Sequence, residues 1–166
     1  MILKDILVAT DFSEPSLAAL EYGKDLAGSH DATLHVLHVL QKIPTYYGSG
    51  VGLAVAEIEE KIEASAQRRL EAAVDGKDGG LVVRTSTTRA PKVADAINEY
   101  ANTNDVDLIV VGTHGRGAVS RFLMGSVAER VVQSASRPVL TVHGDERPSA
   151  FSSREVVAHE AEGAPV

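Results

Sequence analysis

Gly112, Gly115 and the pair Gly125-Ser126 are spaced for holding an anion rather than for breaking a bond. They form G-x2-G-x9-G-S, directly after Asp107-Leu-Ile-Val-Val, a short apolar run that reads as a buried strand. Glycine permits positive φ and lets backbone amides approach a ligand without a Cβ in the way. Ser126 stands where an N-cap or first-turn residue of the next helix belongs, so its hydroxyl and the amides after it face negative charge. A nucleotide phosphate is the ligand this favours. A glycine-rich turn with no ligand at all is the plain alternative, and the glycines alone do not separate the two.

Other chemistries fail on spacing. Gly115 and Gly117 begin a G-x-G, but Ser120 stands where G-x-G-x-x-G needs its third glycine. No G-x-x-x-x-G-K-[ST] is present, which excludes a P-loop. The chain has no cysteine, hence no thiolate nucleophile, thiolate metal site or disulfide. His35 and His38 lack partners at helical metal-ligand spacing and read as histidines satisfied at or near a strand end. No carboxylate pair lies near the glycine loop, and His114 is the one candidate base there, better suited to contacting a nucleotide. A formal charge of −7 argues against a nonspecific nucleic-acid binder. Asp5 interrupts what would be a signal peptide's apolar core, and no run reaches membrane-spanning length. A cytoplasmic protein is expected, without nucleic-acid or membrane partners.

The elements that must position these residues alternate. Ile2 to Ala9 reads as a first strand, apolar on both faces, as in a parallel sheet covered by helices. Ser13 is a candidate N-cap, followed by Glu14 and Pro15, for a helix running to about Ala27 and closed by Gly28. Thr33 to Leu40 is a second strand, and Gln41 to Gly52 a loop whose Tyr46 and Tyr47 could flank a ligand or cover the sheet end. Ala54 to Ala73 carries Val55, Ile58, Ile62, Ala66 and Leu70 at helical spacing, with a charged face read as simply solvated. After the turn Asp75 to Gly80 comes a third strand, Leu81 to Ser86. A helix follows with Val93, Ile97, Tyr100 and Ala101 as its apolar positions, ending within Asn102 to Asp105. The fourth strand is Asp107 to Gly112. Val127, Val131, Val132 and Ala135 mark a last helix, stopped by Ser136-Arg137-Pro138, and Val139 to Val142 is a short fifth strand. From Gly144 the composition turns to Glu, Ser, Pro, Ala and Gly, so residues 144–166 are expected to be a poorly ordered tail to a domain of residues 1–143.

Strands alternating with helices predict an α/β domain with a mostly parallel sheet. Ligands in such sheets bind beyond the carboxyl ends of the strands, where the strand order reverses. The G-x2-G-x9-G-S spacing, with Ala9-Thr10-Asp11-Phe12-Ser13, His38-Val39 and Ser136-Arg-Pro-Val-Leu140, resembles the ATP-binding branch of the universal stress protein family. The resemblance covers roughly Ile2 to His143. It implies a single doubly wound five-stranded sheet of order 3-2-1-4-5, akin to adenine-nucleotide alpha-hydrolases, with the first and fourth strands side by side at the reversal.

Carried over by position, the resemblance implies that Asp11 and the backbone at Val39 hold adenine and its ribose side, with Ala9 and Thr10 beside them in the site. Gly112, Thr113, His114 and Gly115 would line the ribose and phosphates, and Gly125, Ser126 and Val127 would cradle the terminal phosphates. Arg116 either adds charge at the phosphate end or is an exposed arginine. Asp11 has a rival role as a local cap competing with Ser13, and Thr10 reads equally as a phosphate or metal neighbour and as a plain strand-end threonine. Arg89 stands where many family members have a glycine, which puts the local turn before Pro91 in doubt. The implied cofactor is ATP or another adenine nucleotide, with Mg²⁺ or Mn²⁺. The implied role is nucleotide-dependent regulation; a slow ATPase or phosphotransferase and a nucleotide-free dimeric scaffold are the alternatives. A homodimer through the Val139–Val142 edge strand is expected.

Overall fold

The computed structural model describes residues 2–42, 52–74, 80–113 and 124–143. Among these described residues nine elements follow in strict alternation: β1 (Asp5–Ala9), α1 (Glu14–His30), β2 (Thr33–Gln41), α2 (Gly52–Ala73), β3 (Val83–Ala90), α3 (Val93–Thr103), β4 (Leu108–Gly112), α4 (Ser126–Ser134) and β5 (Val139–Val142). The five strands form one parallel sheet of order β3-β2-β1-β4-β5. The expected fold class and strand order are borne out.

Strand alternation divides the apolar residues between two cores. Ile6, Val8, Leu34, Val36 and Val110 pack with Ala19, Leu20 and Ala27 of α1 and Leu70 of α2. Leu7, Leu37, Val39, Ile109 and Val111 face the other way, onto Ala94, Ile97 and Ala101 of α3 and Ala128 and Val131 of α4. Each fully buried Leu or Ile contributes about 1.5–3 kcal/mol relative to exposure. Sequence runs apolar on both faces are therefore the mark of the central strands.

One polar group crosses this core. His35 is fully buried and lies 3.1 Å from both Asp5 Oδ1, through Nε2, and the Tyr100 hydroxyl, through Nδ1. A carboxylate only accepts, so Nε2 donates to Asp5, and in the neutral ring Nδ1 then accepts from Tyr100. Burial holds the Tyr100 hydroxyl above its ordinary pKa, while the nearby Arg84 charge pulls the other way. The reading of His35 as a satisfied strand histidine holds.

Several boundaries move, each for a tertiary reason. β1 begins at Asp5 rather than Ile2, which is exposed; the Lys4 and Asp5 amides donate instead to the Asp107 carboxylate. α1 runs through Gly28 to His30, and Asp31 closes it in the left-handed conformation, φ 53°, with its amide on the Ala27 carbonyl. β3 starts at Val83 and continues to Ala90, because β2 extends to Gln41 and pairs with it throughout. Arg89 thus lies in a strand, and its Nε donates to Glu63 Oε2 at 3.0 Å on α2. The charged face of α2 is not simply solvated: Gln67 also reaches Thr85 Oγ1 at 3.0 Å. Conversely Ile58 and Ile62 of α2, and Val127 and Val132 of α4, are exposed rather than core. The expected loop around Tyr46 and Tyr47, most of the turn 75–80 and the tail 144–166 lie outside the described residues. Among the described residues no helix is long and apolar enough to cross a membrane.

Candidate functional site

The strand order reverses between β1 and β4, whose ends run side by side with Ala9 opposite Val111. Beyond them lie Thr10-Asp11 and Gly112-Thr113. α4 begins beside this point: the Gly125 amide donates to the Thr113 carbonyl, and the Thr113 amide donates to the Val142 carbonyl at 2.8 Å. Gly125 is the N-cap of α4 in an extended conformation, and among the described residues no side chain caps the helix. The first intrahelical bond is from the Glu129 amide to the Gly125 carbonyl. The amides of Ser126, Val127 and Ala128 therefore fall outside the helix's own ladder. They carry the positive end of the α4 dipole, an anion-binding arrangement.

Gly125 itself is different. Its amide is committed to Thr113, so its part is to tie α4 to the end of β4. Ser126 and Val127 are exposed at the helix start. Glu129 is an acid in the first turn and opposes an anion there; its Oε1 takes a bond from Gln133 Nε2 at 3.1 Å, one turn further along.

The β1 side is a tightly bonded turn. Thr10 is buried; its amide donates to the Leu37 carbonyl at 2.9 Å. Ser16 donates its hydroxyl to the Ser13 carbonyl, 2.9 Å, so the 2.9 Å contact between Thr10 Oγ1 and Ser16 Oγ must have Thr10 as donor. Thr10 Oγ1 accepts in turn from the Phe12 amide at 3.0 Å. The Thr10 hydroxyl is thus a link in the turn, in keeping with the strand-end reading. Asp11 Oδ1 accepts from both the amide and hydroxyl of Ser13. Ser13 occupies the N-cap position of α1 without capping it.

The structure brings Ala9, Thr10, Asp11, Val39, Gly112, Thr113, Gly125, Ser126 and Val127 to the carboxyl edge of one sheet. Val39 turns its side chain into the α3-facing core, leaving its main chain in the β2–β3 ladder opposite Thr88. His114, Gly115 and Arg116 lie outside the described residues. Three further side chains, to which the sequence reading gave no part in the site, also belong to this edge. His38 donates from Nδ1 to the Thr10 carbonyl at 2.7 Å. Phe12 takes a positive φ of 63° and lies 4.6 Å, ring centroid to ring centroid, from His38. Arg69 of α2 places its guanidinium carbon 3.9 Å from the Phe12 ring centroid. No spacing in the sequence announces these contacts, since they join three separate elements.

A parallel sheet whose strand order reverses between β1 and β4, with a helix start beside the reversal, defines a doubly wound α/β domain. The chain belongs to the universal stress protein family, whose model matches residues 3–143. It is 32% identical over 164 residues to a universal stress protein of Mycolicibacterium smegmatis; that covers 96% of this chain and 54% of the relative, so the chain spans about half the relative's length. The solved structure of the hypothetical protein MJ0577 superposes with a TM-score of 0.75 at 28% identity, covering 86% of this chain and 97% of that one. A universal stress protein crystallised in complex with cAMP matches with a TM-score of 0.58 at 26% identity, covering 87% and 99%.

Proposed function

We propose that this chain binds an adenine nucleotide, ATP with Mg²⁺ or Mn²⁺, at the β1–β4 edge and acts as a nucleotide-dependent regulatory protein of the cytoplasm. The observation that carries this reading is the uncapped start of α4, fastened to the end of β4 by the bond from Gly125 to Thr113 and set beside the turn after β1. The residues fit the ligand. Main-chain amides of Ser126, Val127 and Ala128 suit phosphate oxygens, and a hard cation would travel with the phosphates and water. Thr10-Asp11 and the main chain at Val39 suit the nucleoside side. The G-x2-G-x9-G-S pattern, which includes Gly115 and has Arg116 beside it, supports assignment to the ATP-binding branch of the family. The structural neighbour bound to cAMP lends support to an adenine nucleotide.

A homodimer is part of the same reading. β5 pairs on one side only among the described residues, with β4. Leu140 on it and Val132 on α4 are exposed apolar side chains at that border.

Titration calorimetry with ATP and Mg²⁺ tests the site. Micromolar affinity corresponds to about −8 kcal/mol. Gly125→Val keeps the amide and an extended backbone conformation open to valine, φ −62° and ψ 145°. The variant is expected to stay folded, with an unchanged circular dichroism spectrum, and to lose nucleotide because its branched side chain stands at the helix start. Undiminished affinity in that variant would place the anion elsewhere.

A further inference from the structure

Arg69 lies on the exposed face of α2, far from the glycine motif in sequence, yet its guanidinium packs 3.9 Å from the centre of the Phe12 ring. We propose that Arg69, acting through Phe12, is a positioning residue for the nucleotide site, holding the turn that carries Asp11; this rests on the reading of the site given above.

Phe12 takes φ 63°, a conformation that a bulky L-residue adopts only when its surroundings enforce it. Three contacts enforce it here. The Phe12 amide is bound to Thr10 Oγ1 at 3.0 Å. Its ring lies 4.6 Å from the His38 imidazole, and it meets the Arg69 guanidinium in a cation–π contact. His38 in turn fixes the Thr10 carbonyl at 2.7 Å. Asp11 therefore sits between two anchored neighbours, Thr10 held by His38 and Phe12 held by Arg69.

The consequence is directional. Without the Phe12 ring pinned, the left-handed bend relaxes toward the extended or helical regions, and the Asp11 carboxylate leaves the Ser13 amide. A residue on α2 that touches no candidate ligand contact then sets how well the first strand's end receives a nucleoside. The same link runs in reverse: a nucleotide that orders Asp11 stiffens the attachment of α2.

Calorimetry with ATP and Mg²⁺, paired with amide hydrogen exchange, tests this on Arg69→Gln, Arg69→Lys and the control Arg68→Gln, which removes an equal charge one residue earlier. Arg69→Gln is expected to weaken ATP about two- to fivefold and to speed exchange at Phe12 and Ser13, leaving α4 unchanged. Arg68→Gln is expected to do neither, and Arg69→Lys, which keeps the charge but loses the planar face, to fall between. Equal losses in Arg69→Gln and Arg68→Gln would reduce the effect to net charge and overturn the proposal. So would faster exchange with unaltered affinity, or no change in either. Wild-type protein that binds no nucleotide would instead overturn the reading of the site, and this role with it.

Discussion

Gly112 lies against the main chain of Pro15: a Cβ built on it would meet the Pro15 carbonyl carbon at 2.6 Å, its oxygen at 2.7 Å and the Ser16 nitrogen at 2.8 Å. The first glycine of the motif is therefore required by the approach of the α1 start to the end of β4, whatever binds nearby. Neighbouring atoms here are backbone, which cannot swing aside as a side chain would.

Gly112→Ala is accordingly expected to destabilise the domain by about 1–3 kcal/mol, as overpacking against an unyielding wall does. Chemical denaturation of the nucleotide-free protein measures it. A loss below a few tenths of a kcal/mol would mean that α1 shifts freely, and Gly112 would then be kept for the ligand alone. Loss of nucleotide by this variant, taken by itself, says little about contact.

Packing of this kind marks the limit of what the sequence discloses. The apolar runs Ile6-Leu-Val and Ile109-Val-Val announce strands buried on both sides, because alternation of side chains leaves a central strand no wet face. Gly125-Ser126 announces a helix start, since that is a local matter. Arg89 looks like part of a turn, beyond the strand expected to end at Ser86; it lies in β3 because β2 offers a partner and α2 supplies Glu63 to satisfy it. Gly28 looks like a helix stop, but Asp31 adopts the left-handed cap three residues later. Ser126 at the start of α4 was legible from type and spacing, and the local bond of Asp11 to Ser13 was one of the two readings its position allowed. The bond from His38 to the Thr10 carbonyl and the stacking of Arg69 on Phe12 were not, because each depends on which elements the sheet order brings together.

The Asp107 carboxylate links the start of β4 to that of β1, accepting from the Lys4 amide at 2.7 Å and the Asp5 amide at 3.1 Å. The Lys4 amide bond chiefly holds its pKa below the ordinary 3.8; partial burial works against this, while the Asp5 amide and the Arg137 and Lys4 charges assist. A depressed folded-state value means stability that is fully present above the unfolded carboxylate pKa. It is lost as pH falls through the lower folded value. Asp107→Asn is expected to be less stable than wild type at neutral pH, with the gap closing below about pH 4. Urea melts from pH 7 down to pH 2.5 read this difference. A gap that stays constant over that range would show that the ionised carboxylate adds nothing beyond the amide's geometry.

The β5 strand offers a test of assembly that leaves the sheet intact. The Ile109 amide donates to the Pro138 carbonyl and the Thr113 amide to the Val142 carbonyl. Residues of one parity, Pro138, Leu140 and Val142, therefore direct their main-chain groups at β4, while Val139 and Thr141 direct theirs to the outer edge. Proline at position 141 removes an outward amide and no bond to β4. Thr141→Pro is expected to halve the mass seen by light scattering at micromolar protein, with the circular dichroism spectrum preserved. Replacing the exposed Leu140 by lysine should act in the same direction, since charge on an edge strand discourages pairing. A Thr141→Pro protein that keeps the wild-type dimer mass would move the interface to another face, and a monomeric wild type would remove it altogether.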